Sequence, residues 1–145
     1  MSSGDSLRQV LVDTGPLVAL LRHNDIHHGS CSATLRTIAP PLITTWAVVT
    51  EAAWLLRDRP AALAKLYAGE EAGLFQLASL GPSCLGEIRR LADKYQSLRP
   101  QLADLTLLYL AERDGLETVF TLDRRDFKVF RLANGKALHL LPADL

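Results

Sequence analysis

Five acidic residues stand where acids can do chemistry: Asp13, Glu51, Asp104, Asp123 and Asp126. Asp13 directly follows Val10-Leu11-Val12, branched apolar residues that read as a short strand buried on both faces. Asp123 likewise follows a strand-like run, Thr118-Val119-Phe120-Thr121-Leu122, and Asp126 comes shortly after it. In an open parallel sheet, ligands bind in the crevice outside the carboxyl ends of the strands, so acids placed after strands are gathered at one edge. Glu51 falls in an apolar stretch, 46–56, that reads as helix. Its neighbours one turn away on either side are Ala47, Val48, Trp54 and Leu55, none of them a cation. A carboxylate buried there needs a tertiary cation, a proton or a metal. The plainer alternatives are a distant arginine or a half-exposed place at the helix edge. Asp104 lies in the first turn of an expected helix, where the helix dipole alone would favour an acid. Leu107 and Leu108, the residues one turn on, nonetheless point it towards the interior.

The acids say more together than apart. Carboxylates crowded at one edge repel unless a divalent cation neutralises them, and an oxygen-only site suits Mg²⁺ or Mn²⁺. Thr14 and Thr121 offer hydroxyls beside the acids for bound water or metal, or they turn and cap the chain as such residues often do. Asp123 and Asp126 carry the same turn-or-cap alternative.

The elements that must position these residues follow from periodicity and breakers. After the first strand, Gly15-Pro16 turn the chain into a helix over 17–22, followed by the polar loop Arg22-His23-Asn24-Asp25-Ile26-His27-His28-Gly29-Ser30. A helix through Cys31, Leu35 and Ile38 ends at Pro40-Pro41, and Leu42-Ile43-Thr44-Thr45 reads as a second strand. The helix over 46–56 stops at Arg57-Asp58-Arg59-Pro60. A tandem helix over 61–67 continues towards Ala72, with Gly73 at its end. Leu74-Phe75-Gln76-Leu77 is a weaker third strand. Leu85, Ile88, Leu91, Ala92 and Tyr95 keep helical spacing, and a further helix over 102–113 stops at Asp114-Gly115. The fourth strand precedes Asp123, and Leu138-His139-Leu140-Leu141 forms the last one before Pro142. Strands alternating with helices predict an α/β fold with a parallel sheet covered on both faces.

With 145 residues the chain is expected to form one domain, 1–145, with its core over about 9–142. Apolar residues make up 48% and charged residues 22%, ordinary values for a globular protein, and no run is long enough for a membrane span. The first residues lack the basic and apolar regions of a signal peptide, which predicts a cytoplasmic protein. Cys31 and Cys84 have no paired spacing and read as reduced thiols. Lys plus Arg equals Asp plus Glu at 16 each. With four carboxylates sequestered in one cleft, the remaining surface would be modestly basic, compatible with a polyanion.

At this point four segments resemble PIN-domain proteins, and among them VapC-type toxin ribonucleases of type II toxin–antitoxin pairs. They are Val12-Asp13-Thr14-Gly15-Pro16-Leu17-Val18-Ala19-Leu20-Leu21, Thr44-Thr45-Trp46-Ala47-Val48-Val49-Thr50-Glu51-Ala52-Ala53, Leu102-Ala103-Asp104-Leu105 and Thr121-Leu122-Asp123-Arg124-Arg125-Asp126-Phe127. Their order and spacing agree with the family over nearly the whole chain. The resemblance implies a three-layer α/β/α sandwich with a central parallel sheet of about five strands. It implies a metal-dependent endoribonuclease, usually a homodimer, held inactive by a cognate antitoxin. Carried over residue by residue, the catalytic and metal-binding acids are Asp13, Glu51, Asp104 and Asp123, with Asp126 as accessory. His23, His27 and His28 lie outside that set and read as a solvated loop or helix start.

On this reading one or two Mg²⁺ or Mn²⁺ ions activate a water for in-line attack on phosphorus and stabilise the leaving 3′ oxygen, giving 5′-phosphate and 3′-hydroxyl ends. Asp13 and Asp104 are the primary ligands; Glu51 and Asp123 bind directly or through water. Arg124, Arg125, Lys128 and Arg131 form the best cationic cluster for RNA, with Arg22 and Arg99 as further candidates, although basic runs are often only a solvated face. Phe127 and Phe130 are stacking candidates whose placement favours the core instead. Trp54 reads as core or dimer interface. Two competing readings keep a similar fold: a non-catalytic metal-binding signalling or scaffold module, and a small DNA-directed nuclease. The first wants a phosphorylatable Asp after the middle strand and a Lys beyond a late strand, a pattern absent here. Nothing in the residues themselves selects RNA over DNA.

Overall fold

The computed structural model describes residues 7–143. Five short strands form one parallel sheet in the order β3-β2-β1-β4-β5: β1 (Leu11–Val12), β2 (Leu42–Thr44), β3 (Phe75–Leu77), β4 (Thr118–Phe120) and β5 (His139–Leu141). The sheet is parallel because every consecutive pair of strands is joined by helix, which returns the chain to its starting edge. Val10, Leu11 and Val12 are fully buried, as are Val119 and Phe120. Strands covered on both faces need side chains apolar throughout rather than alternating.

The helices are α1 (Thr14–Leu21), α2 (His28–Leu35), α3 (Trp46–Leu55), α4 (Pro60–Tyr67), α5 (Cys84–Lys94), α6 (Leu102–Asp114) and α7 (Arg124–Phe127), with a 3₁₀ turn over Gln96–Leu98. Right-handed crossovers in this strand order send α1 to α4 to one face and α5 to α7 to the other, giving the three layers. The packing agrees: α1 lies against α2, α3 and α4, while α5 lies against α6. The core is continuous, with Leu17, Leu42, Leu56, Leu107, Leu108, Phe120, Phe127 and Phe130 all excluded from water. Phe127 and Phe130 meet edge to face at 5.3 Å, so both are packing residues and neither is a stacking platform.

Several boundaries and one packing assignment differ from expectation. Helix α1 begins at Thr14, not after Gly15-Pro16, because Asp13 caps it and proline is tolerated within the first turn. Helix α4 ends at Tyr67 rather than near Ala72, and Gly73, at φ +78, closes the turn before β3. A short helix, α7, follows Asp123. Trp54 is not core: it is 64% exposed, with the Arg57 guanidinium 3.9 Å over its ring. Cys31 and Cys84 are free thiols, and His27 and His28 lie at the start of α2. Among the described residues no helix is long and apolar enough to cross a membrane.

Candidate active site

The connections from β1 and from β3 leave in opposite directions, so β1 and β4 are neighbours at the point where the strand order reverses. Open α/β sheets bind ligands at such a point, outside the carboxyl ends. Asp13 leaves β1 there, and Thr121 with Asp123 leaves β4 beside it. The Asp13 carboxylate accepts the Thr14 N–H through Oδ1 at 2.8 Å and the Thr121 hydroxyl through Oδ2 at 2.8 Å. Thr121 in turn accepts the Asp123 N–H at 3.2 Å, so one hydroxyl joins the acids of two strands. Thr121 thus holds Asp13, a role its position after a strand left undecided.

Asp104 is the third residue of α6 and is buried beside a run of leucines. Glu51, on α3, is half-buried, and among the described residues no cation lies within ion-pair distance of it. Asp123 is exposed at the rim. Asp13 and Asp104 feel the acids around them. Burial, then the charges of Asp13, Asp123, Asp126 and Glu51, push the Asp104 carboxyl up to about 8. Burial also dominates at Asp13; the bonds from Thr14 and Thr121 oppose it, Glu51 and Asp123 reinforce it, and the carboxyl is raised to about 6. Carboxyls perturbed by burial and by neighbouring acids at a sheet edge are candidates for a functional site.

Asp126 differs from the others. It is buried, but Arg125 Nε stands 3.1 Å from its Oδ1, and the same guanidinium donates to the Leu98 carbonyl at 3.3 Å. Its charge is therefore already answered by the protein.

Among the described residues no three acid, histidine or cysteine side chains stand close enough together to hold a metal ion as they are placed. The donor chemistry nonetheless fits a hard divalent cation. Asp13 and Asp104 are buried carboxylates without a cation partner among the described residues, Glu51 and Asp123 act on them by charge, and the ligands on offer are all oxygen. Thr14 adds a buried Oγ1 with no hydrogen-bond partner, next in sequence to Asp13. Buried hydroxyls are nearly always bonded, so an orphan next to Asp13 is a further oxygen to account for at this edge.

The cationic residues divide. Arg125 and Lys128 are exposed close behind Asp123, and Arg99 is exposed five residues before Asp104. Arg124 is half-buried and donates to the Pro142 carbonyl. Arg131 spends its Nη1 on the carbonyls of Lys128, Val129 and Phe130, which closes the chain after α7. Arg22 is not brought to the acids. It caps the far end of α1 from Asp13, about 12 Å along at 1.5 Å per residue. There it lines a separate cavity of about 290 Å³ with His23, Asp58, Arg59 and Lys65.

Two site residues escaped the sequence. Thr45 Oγ1 and Thr106 Oγ1 are buried and lie 2.8 Å apart, tying the start of α3 to the start of α6. A threonine just ahead of an expected helix, and a second in an otherwise apolar helical run, were the available signals.

Known proteins resemble this chain in sequence and in fold. The family model for the PIN domain matches residues 10–132, a span that includes all five acids. Ribonuclease VapC26 of Mycobacterium tuberculosis (strain ATCC 25618 / H37Rv) is 30% identical over 135 residues, covering 92% of this chain and 100% of that protein. The crystal structure of Mycobacterium tuberculosis VapC20, a sarcin–ricin-loop-cleaving toxin, superposes with a TM-score of 0.72 at 17% identity. The match covers 81% of this chain and 92% of that one. A switch-point cluster of acids, a family model spanning it and a relative aligned over its full length leave one assignment: the chain belongs to the PIN-domain family, with the VapC-type ribonucleases.

Proposed function

We propose that this chain is a Mg²⁺- or Mn²⁺-dependent endoribonuclease of the toxin type, acting as one nuclease domain. The observation that carries the reading is the pair Asp13 and Asp104, two buried carboxyls at the switch point that no cation among the described residues answers. The fold could have paired them, as it pairs Asp126, and does not. Such acids are kept for a ligand that brings positive charge.

One or two divalent ions would be held by Asp13 and Asp104, with Glu51 and Asp123 bound directly or through water and Asp126 in an outer place. Bound there, the metal would supply charge neutralisation at the phosphate and a water acidic enough to attack it. The remaining work belongs to the protein. Thr121 fixes the Asp13 carboxylate by its 2.8 Å bond, so its free lone pairs face a constant direction. The low-dielectric wall of α6 leucines strengthens every charge interaction at Asp104. Exposed Arg125, Lys128 and Arg99 border the rim, where they would grip flanking phosphates, with Arg124 beside them. Arg131 and Arg22 have the weaker claim, since one closes α7 and the other lies at the far end of α1.

The similarity to Ribonuclease VapC26 favours RNA over DNA as substrate and a cognate antitoxin as protein partner. We read the working form as a cytoplasmic homodimer, with exposed Trp54 on α3 available to such an interface.

The test is cleavage of total RNA by purified protein with Mn²⁺, Mg²⁺ or EDTA, alongside Asp13→Asn and Asp104→Asn. Discrete fragments with 5′-phosphate and 3′-hydroxyl ends are expected with metal and not with EDTA. Each variant should lose at least about a hundredfold in rate, the scale for removing one preorganised electrostatic contact. Intact RNA in every metal-containing lane would overturn the reading. Calorimetric metal binding lost in the same variants would then favour a binding module.

A further inference from the structure

We infer that Thr44, Thr45 and Thr106 form a positioning device that sets how far the acids of β1, α3 and α6 stand from one another. The inference rests on the metal-site reading above. Thr44 and Thr45 are adjacent, fully buried, and directed to different neighbours. Thr44 Oγ1 donates at 3.0 Å to the carbonyl of Val12, the residue before Asp13. Thr45 Oγ1 lies 2.8 Å from Thr106 Oγ1, which is two residues past Asp104 on α6. Thr106 gives its only proton to the Ala103 carbonyl at 2.7 Å, so Thr45 is the donor between the two hydroxyls. Thr45 also caps α3 by accepting the Val48 N–H at 3.4 Å, and Glu51 follows six residues later on that helix.

One dipeptide therefore reaches β1 beside Asp13, α6 beside Asp104 and the helix that carries Glu51. These three carriers need such a tie. Their carboxylates repel, and the nearest interior side chains are apolar and non-directional, free to let the helix starts part. A hydrogen bond fixes distance and angle where packing alone fixes only contact. Buried polar links of this kind are costly when incomplete, and here every hydroxyl has its partner. Groups behind a metal's ligands set its affinity by holding those ligands in place, on a scale of 10–100-fold.

The experiment compares Thr45→Val, Thr106→Val, the double variant, Thr45→Ser and Thr106→Ser with the unaltered protein. Thr50→Val serves as a control, since Thr50 is exposed on α3 and bonds only within that helix. Mn²⁺ affinity is read by calorimetry without RNA, the melting temperature in EDTA, and RNA cleavage against Mn²⁺ concentration. The valine variants should bind Mn²⁺ about tenfold more weakly. The double variant should be no worse than the weaker single one, the serine variants should recover, and the control should match the unaltered protein. Half-maximal cleavage should need correspondingly more Mn²⁺, with KM for RNA unchanged. Should a valine variant fail to fold, Thr106→Ala reads the same comparison while leaving Thr45 to cap α3. Valine variants with unaltered Mn²⁺ affinity, whatever their melting temperature, would overturn the inference and leave the metal site standing. An unaltered protein that binds no Mn²⁺ would remove both.

Discussion

The switch-point edge and the α7 corner lie a few residues apart, and they treat charge in opposite ways. At the corner, Asp126 is buried against Arg125, Arg124 donates to the Pro142 carbonyl, and Arg131 gathers three carbonyls after α7. At the edge, Asp13 and Asp104 are equally buried, and burial with mutual repulsion raises their carboxyls to about 6 and about 8. The same fold that satisfies one acid leaves the others crowded. An acid given a cation at the corner and acids left without one at the edge are the contrast on which the proposed metal site rests.

The largest expected consequence is a stability that runs against the usual acid denaturation. Both carboxyls bind a proton more tightly in the folded than in the unfolded chain. Unfolding therefore releases protons, and stability falls as pH rises. The contribution is complete below the unfolded value near 3.8; the Asp13 part is lost by about pH 6 and the Asp104 part by about pH 8. In EDTA the melting temperature should drop by several degrees between pH 5 and pH 8. Millimolar Mn²⁺ should remove or reverse that slope, because the metal competes with protons for the same oxygens. Thermal scans across pH with and without metal check this, and a flat curve in EDTA would mean the acids are answered by the protein after all.

Next in size is Asp104→Asn, which removes the most perturbed charge while keeping the shape. At pH 8 in EDTA it should stabilise the protein by about 1–2 kcal/mol, after the cost of burying an amide. At the corner the sign should invert. Arg125→Ala strips Asp126 of its cation and Leu98 of a donor. Arg125 is 75% exposed, so water screens the pair and the loss should be about 1 kcal/mol or less, some 2–4 °C in melting temperature. Equal signs for the two variants would erase the distinction between edge and corner.

How much of this contrast the sequence carried depends on how far apart the partners lie. The parallel sheet and the placing of acids after its strands were legible, because both follow from local runs: Val10-Leu11-Val12 before Asp13, and Thr118-Val119-Phe120 before Thr121 and Asp123. Asp104 in the first turn of α6 was legible for the same reason. The start of α1 was misplaced by two competing local signals, since Gly15-Pro16 can make a turn or sit inside a capped first turn. The hydroxyl ties were not legible. Thr45 meets Thr106 across 61 positions and Thr121 meets Asp13 across 108, and no periodicity encodes such partners. Arg131 was visible as a charge in the sequence, whereas the three carbonyls that its Nη1 meets were not.

The smallest expected effect bears on the one orphan at the edge. Thr14 Oγ1 is buried without a hydrogen-bond partner, although Thr14 N–H is bonded to Asp13. A buried hydroxyl left unpaired costs about 1–3 kcal/mol, so an apolar isostere that serves folding alone should be an improvement. Thr14→Val should leave the metal-free stability unchanged or raise it by about 0.5–1 kcal/mol, which thermal melting in EDTA reads and β-branched valine at a helix start permits. The same variant should bind Mn²⁺ severalfold more weakly, because it removes an oxygen beside Asp13 that a bound ion or its water would meet. A destabilised variant with unaltered Mn²⁺ affinity would make Thr14 an ordinary helix-start residue and move it from the edge's chemistry to the corner's kind of bonding.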